Sequence, residues 1–198
     1  MTEHLKGPSP SVWDPLVRVS HWGLAVIVLF NGLLDGGGTV FHVALGWITL
    51  ILLVARISWG FVGPTEARFS SFPPSPAAAV GHLRAVLRGR PPEYRSHNPA
   101  GAIMVYTLWA LLALVVGTGL YMTHGLMPWQ ISQDPAFRHG HFNGGWLLGD
   151  IHAYAADLIL VLSGIHLGGV IAESLSLRRN LVRPMIHGRR NKADTPGE

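Results

Sequence analysis

Four long apolar stretches dominate the chain, with shorter polar segments between them. They cover approximately residues 16–34, 41–62, 102–122 and 151–172. A helix needs about 17–25 predominantly apolar residues to cross the hydrocarbon core of a bilayer, and each stretch approaches or exceeds that length. The pattern therefore predicts an all-α membrane protein, an antiparallel bundle of four transmembrane helices within a single membrane domain spanning residues 1–198.

The polar connections differ in length. A glycine-rich turn at 35–39 makes the first two helices antiparallel neighbours. The loop 63–98 is long and contains Ser75-Pro76, a typical helix cap followed by proline in the first turn. Four apolar residues then share one helix face: Val80, Leu83, Val86 and Leu87. We predict a short interfacial helix here, lying on anionic headgroups, with a solvated basic loop helix as the alternative.

Charged residues are scarce, at 13% of the chain against about 25% in an average soluble domain. Fourteen of the 15 Lys and Arg residues fall on one side of the predicted topology, including loop 63–98 and the tail 173–198, whereas Arg138 alone falls in loop 123–150. This asymmetry predicts that both termini lie in the cytoplasm and that loop 123–150 lies on the opposite side of the membrane. Basic residues of nucleic-acid-binding proteins cluster on one face or recognition helix instead, so no nucleic-acid partner is expected. Because no small-residue cleavage site follows it, we interpret the first apolar stretch as an uncleaved signal-anchor.

The chain contains no cysteine, which excludes disulfides, iron–sulfur clusters, thiolate-bound haem and covalently attached c-type haem. Histidine is frequent, with 11 copies. Four of them lie in or at the edges of the apolar stretches: His21, His42, His152 and His166. Ionisable side chains inside a membrane are costly and are functional-site candidates by default.

The spacing of these histidines is informative. His152 and His166 are 14 residues apart, so on one helix they point within about 40° of each other and are separated by about 21 Å along the axis. The alternating helix directions then predict an inner pair, His21 with His166, and an outer pair, His42 with His152. Two imidazoles from facing helices suit a six-coordinate b-type haem, and two such pairs predict two haems.

Other interpretations of the same residues remain open. Singly, His21 could be an interfacial residue and His42 a turn residue. A zinc or di-iron site would need its ligands around one centre, which two layers about 21 Å apart do not allow. Use of the histidines by a proton or metal transporter stays a rival function. Arg56, 14 residues after His42, is expected either to bond haem propionates or to extend its charge to the headgroups.

Several motifs resemble those of the bacterial cytochrome b-561 and nickel–iron hydrogenase cytochrome b family. The first is Val12-Trp13-Asp14-Pro15, followed by Arg18 and His21-Trp22. The others are Arg56 with the stretch from Trp59 to Pro64, the run His97-Asn98-Pro99-Ala100-Gly101, and Asn180-Leu181-Val182 with Met185-Ile186 and Gly188. Together these motifs extend over nearly the whole chain. The outer-loop residues His139, His141 and Asn143-Gly144-Gly145 are not recognised as general family features, so they are candidates for setting partner choice.

The resemblance implies a function. Family members are four-helix inner-membrane cytochromes with two haems b, whose ligands correspond here to His21, His42, His152 and His166. They exchange electrons between a quinone pool and a partner such as a hydrogenase, a formate dehydrogenase or a periplasmic cytochrome. The chain is therefore expected to be an electron-transfer subunit embedded in membrane lipid, with a quinone as a further ligand. A freestanding oxidoreductase that oxidises superoxide and reduces quinone is the alternative.

Quinone chemistry also requires groups that exchange protons. The sequence offers four candidates: His97, His124, Asp150 and Asp157. Asp157 lies inside the fourth apolar stretch, where a hydrogen bond between helices is the competing explanation.

Overall fold

The computed structural model describes residues 13–35, 37–89, 92, 94, 97–134, 137 and 143–188. In chain order its α-helices are α1 (Pro15–Leu33), α2 (Val40–Val62), α3 (Pro76–Leu87), α4 (Pro99–Met122), α5 (Pro128–Ile131), α6 (Gly145–Ser176) and α7 (Val182–His187). Two single-turn 3-10 helices, Thr65–Ala67 and Phe69–Ser71, precede α3. Helices α1, α2, α4 and α6 are long and apolar enough to cross a membrane. The predicted all-α membrane bundle of four helices is confirmed.

Side-chain caps define where the first two spans begin. The carboxylate of Asp14 accepts hydrogen bonds from the backbone N–H groups of Leu16 and Val17, at 2.9 and 3.1 Å. The hydroxyl of Thr39 accepts from the N–H of His42 at 2.9 Å. Such caps satisfy N–H groups that have no partner inside the helix, so both helices start directly after the polar residue.

The fourth span is longer than its apolar stretch indicates. The apolar stretch predicts a helix over residues 151–172, whereas α6 extends from Gly145 to Ser176 over 32 residues. At 1.5 Å per residue this helix is about 48 Å long, which exceeds a hydrocarbon core of about 30 Å. Hydropathy marks only the part inside lipid, but the backbone hydrogen bonds of a helix can continue beyond it.

The protein core is small and lies where the four spans meet. Each span contributes one buried residue to it: Leu24, Leu53, Leu112 and Ile159. Many of the other large apolar side chains of the spans are exposed at the outside of the bundle, including Val26, Ile51 and Val161. An apolar exterior of this extent suits contact with lipid.

Helix α3 packs along the bundle through one face only. Ser75 caps it by accepting from the N–H of Ala78 at 3.4 Å. His82 is buried, and its Nε2 lies 3.7 Å from Oε1 of Glu173 on α6. Val80, Leu83 and Leu87 are exposed on the other side, as an interfacial helix at a bilayer surface requires.

The two ends of the bundle are distinct. At one end, here called the terminal end, α7 closes over the start of α1. Arg18 Nη1 donates to the carbonyl of Ile186 at 2.7 Å, and Trp22 Nε1 donates to that of Met185 at 3.2 Å. The opposite turn end carries residues 34–35, 37–39 and 123–134, where Trp47 Nε1 donates to the carbonyl of Leu126 at 3.2 Å. His21 therefore lies towards the terminal end, and His42 towards the turn end.

Candidate functional site

The first pair of histidines lies at the level of the terminal end. His21 on α1 and His166 on α6 face each other, with ring centres 6.4 Å apart and ring planes at 57°. Trp22 packs its indole edge-on against the His21 ring at 5.2 Å. Two imidazoles from different helices are thus held opposite each other without being in contact.

The second pair lies at the level of the turn end. His42 on α2 and His152 on α6 have ring centres 6.0 Å apart and ring planes at 60°. Both rings border a cavity of about 580 Å³, here called the His42 cavity, which is also lined by Asn31, Asp35 and Asp157. Its volume falls within the range of about 300–1,000 Å³ that is usual for cofactor and ligand sites.

The ring spacings fit one metal ion between each pair. Imidazole nitrogen bonds a transition metal at about 2.0–2.1 Å, and the ring centre lies about 1.1 Å behind the nitrogen, so two imidazoles on opposite sides of one ion have centres about 6.3 Å apart. The observed values of 6.4 and 6.0 Å bracket this distance. Within the described residues, no group of three or more His, Asp or Glu side chains gathers around one point. The geometry suits two centres with two imidazoles each.

The Nδ1 atoms of the paired histidines have different surroundings. The Nδ1 atoms of His21 and His42 are buried and have no hydrogen-bond partner among the residues that the structure describes. A buried polar atom without a partner costs about 1–3 kcal/mol. His152 differs, because its Nδ1 lies 2.9 Å from the hydroxyl of Thr118 on α4. Its other nitrogen, Nε2, is thereby left to bind a metal.

Arg56 does not extend to the headgroups. Its residue is only 4% exposed, its Nη1 donates to the carbonyl of Ala67 at 3.5 Å, and its guanidinium stands over the Trp109 ring at 4.9 Å. This burial rules out the surface alternative that its place near the end of α2 allowed. Arg56 is also near enough to His97, as are His21 and His166, to affect the pKa of that residue. Arg56, His21 and His166 thus all lie within electrostatic reach of His97.

The candidate proton-exchanging residues occupy different places. His97 packs against Trp13 and Phe72, with ring centres 5.0 and 4.4 Å away. Burial, followed by the charges of Arg56, His166 and His21, lowers its pKa to about 3. Asp157 borders the His42 cavity. Asp150 is exposed near the start of α6, and His124 follows α4 in a turn with φ 52°. His139 and His141 lie outside the described residues.

Sequence reasoning missed the contribution of α4, which bears no histidine between Pro99 and Met122. Thr118 meets His152, and a Cβ atom at Gly119 would lie 3.3 Å from Cε1 of the same ring. Trp109 stacks on Arg56. A threonine interrupting an apolar helix is a visible signal, but its partner lies 34 residues away, and only the helix packing brings them together.

Comparison with known proteins points to one family. The family model of prokaryotic cytochrome b561 matches residues 12–188. A protein from Bradyrhizobium diazoefficiens named "Probable Ni/Fe-hydrogenase B-type cytochrome subunit" is 24% identical, over 94% of this chain and 88% of its own length. One from Rhizobium leguminosarum bv. viciae with the same name is 26% identical, over 75% of this chain and 66% of its own length. No solved structure shows a significant match.

The match extends over all of the described helices and confirms the resemblance found in the sequence motifs. A b-type cytochrome binds haem b, and the four apolar helices place it in a membrane. The chain belongs to the prokaryotic cytochrome b561 family, as a multi-pass membrane cytochrome that transfers electrons through haem b.

Proposed function

We propose that the protein carries electrons between a quinone pool and a periplasmic redox partner by means of two haems b. His21 and His166 would be the axial ligands of one haem, and His42 and His152 those of the other. The chain is then a single membrane domain of the bacterial inner membrane, with the terminal end of the bundle in the cytoplasm and the turn end in the periplasm.

The observation that carries this proposal is the spacing of the two histidine pairs. Ring centres 6.4 and 6.0 Å apart suit a metal bound on both faces. The two α6 members of the pairs are separated by about 21 Å along one continuous helix. If two histidines hold each iron, no ligand position would stay open for a substrate, which favours electron transfer over substrate chemistry.

Each haem b, when bound, supplies a reversible one-electron iron couple. The residues of the chain set its surroundings. Arg56 would pair with propionate groups at the level of His21 and His166, since its guanidinium is buried there and offers donors suited to carboxylates. The lipid-facing residues of the four spans exclude water from the sides of the bundle.

The partner is inferred from charge and from the relatives. Fourteen of the 15 Lys and Arg residues fall at the predicted cytoplasmic side, which leaves loop 123–150 as the periplasmic surface. The names of both relatives assign them to Ni/Fe-hydrogenases. By analogy, the partner of this chain would be a hydrogenase-like enzyme or a cytochrome c. Purification from native membranes under mild conditions should recover that partner with the protein.

A redox titration with haem quantification tests the central claim. The purified protein should contain two haems b per chain, titrating as two one-electron centres. His152→Ala should remove one haem and His166→Ala the other, each leaving the second at its original potential. His82→Gln is the matched control, because His82 is a buried histidine outside both pairs. One haem per chain in the unaltered protein, or two haems left in either alanine variant, would contradict the proposal.

A further inference from the structure

The hydroxyl of Thr118 is surrounded by three polar atoms. It lies 2.8 Å from the carbonyl of Leu114, 2.9 Å from that of Val115 and 2.9 Å from Nδ1 of His152. A threonine hydroxyl has one proton and two lone pairs. Carbonyl oxygens only accept, so a proton directed to the backbone of α4 bonds one of these two oxygens, whereas a proton directed to His152 would leave both of them facing lone pairs of the hydroxyl. The backbone direction is therefore the favoured one. Towards His152 the hydroxyl oxygen is therefore the acceptor, and Nδ1 of that imidazole carries the hydrogen.

The same stretch of α4 also gives the imidazole room. A Cβ atom at Gly119 would lie 3.3 Å from Cε1 and 3.8 Å from Nδ1 of His152. The first distance is closer than ordinary van der Waals contact, so a larger residue would push the ring away from Thr118. Thr118 and Gly119 together hold the ring in one orientation, although neither belongs to a helix that carries one of the paired histidines.

We propose that Thr118 is a positioning residue for His152, which fixes its tautomer with Nε2 free to bind iron and lowers the redox potential of the haem held by His42 and His152. The inference rests on the proposed function, since it requires His152 to be a ligand. An acceptor on the Nδ1–H group makes the other ring nitrogen a more basic ligand. A more basic ligand stabilises the oxidised iron relative to the reduced iron, and this lowers the potential.

His21 and His42 differ from His152 in the surroundings of their Nδ1 atoms. In the described part of the structure, Nδ1 of His21 and Nδ1 of His42 have no such acceptor. The hydroxyl contact is thus specific to one ligand of one pair. Its loss should alter one of the two centres and leave the other unchanged.

The experiment compares Thr118→Val with the unaltered holoprotein. Valine keeps the branched shape and removes the oxygen. We expect an upward shift in the potential of one haem only, together with a change in the low-spin ferric EPR signal of the same haem. Thr118→Ser restores the oxygen and should return both measurements towards the original values. Thr123→Val is the matched control, because Thr123 also lines the His42 cavity and its hydroxyl makes the same type of bond to the Gly119 carbonyl, at 2.9 Å, but has no hydrogen bond to a histidine among the described residues.

The outcomes separate the two claims. Thr118→Val could instead lose the haem that His152→Ala removes while it keeps the other haem. If Thr118→Ser then retains both haems, that result also supports the role of Thr118. An unchanged potential and EPR signal in Thr118→Val, or equal shifts in Thr118→Val and Thr123→Val, overturns it while leaving the proposed function intact. If Thr118→Val does not assemble, Thr118→Ala supplies the same comparison. If His152→Ala retained two haems, that result would instead contradict the proposed function itself.

Discussion

Asp14 joins the start of α1 to the end of α2 through both of its carboxylate oxygens. Oδ1 accepts from the backbone of Leu16 and Val17, and Oδ2 accepts from the indole Nε1 of Trp59 at 3.1 Å. One side chain thus serves as a helix cap and as a tertiary contact at the terminal end. Asp14 thus caps the helix that carries the ligand candidate His21.

Replacing Asp14 should destabilise the bundle more than the loss of an ordinary cap. Asp14→Ala removes a cap, worth about 0.5–2 kcal/mol, and leaves the Trp59 indole without its acceptor, which costs about 1–3 kcal/mol if the group stays buried. Denaturant unfolding in mixed micelles measures the change. Ser75→Ala is the control, since Ser75 caps α3 through a single long bond of 3.4 Å. Equal losses in the two variants would show that the Trp59 contact contributes nothing.

Double substitutions should reveal which histidines share a haem. If His42 and His152 hold the same haem, the variant with both replaced by alanine keeps the other haem and loses no more than either single variant. Replacing His42 together with His166 should remove both haems. Pyridine haemochrome quantification on purified protein gives the count directly. A haem-free His42→Ala/His152→Ala protein would show that the pairing is wrong.

Arg56→Gln should lower the potential of one haem. Removing a buried positive charge favours the oxidised, more positive iron, and a change of about 1.4 kcal/mol corresponds to about 59 mV for one electron. We expect the redox potential of the haem that His166→Ala removes to decrease by about some tens of millivolts, the order of magnitude that this conversion gives. Arg68→Gln is the control, because the Arg68 Nε bonds the Gly63 carbonyl at 2.6 Å near the end of α2. A shift at the other haem, or at neither, would contradict the propionate role.

His97 should make the protein less stable as the pH falls. Burial, and then the charges of Arg56, His166 and His21, lower the pKa of His97 to about 3, whereas unfolding restores a value of about 6.5. Between these two pKa values the unfolded chain binds a proton that the folded chain does not. Stability due to His97 is therefore present above pH 6.5 and is lost progressively down to pH 3. The loss between pH 7 and pH 5 is at most about 2 kcal/mol.

His97→Phe tests this dependence, because phenylalanine keeps a ring against Trp13 and Phe72 and cannot bind a proton. The free energy of unfolding should fall less on acidification for the variant than for the unaltered protein. Measurements at pH 8, where His97 is neutral in both states, isolate the packing effect of the substitution. Parallel pH profiles between pH 7 and pH 5 would show that His97 is not responsible.

The sequence by itself determined the features that depend on one segment at a time. Four apolar stretches predicted the four spans, because the bilayer requires a fixed length of apolar helix. The 14-residue interval between His152 and His166 placed two imidazoles on one face of one helix, because helix geometry is the same in every protein. The motifs around Trp13, Trp59 and His97 indicated the family, which the match over residues 12–188 confirms.

Only the tertiary structure decided what happens between helices. Thr118 and His152 are far apart in the chain, and their contact depends on how closely α4 packs against α6. Whether Arg56 extends to the headgroups or stays buried over the Trp109 ring depends on the 3-10 turns, where the Ala67 carbonyl accepts from its guanidinium. These contacts depend on close packing among several helices at once, so no local pattern in the sequence predicts them.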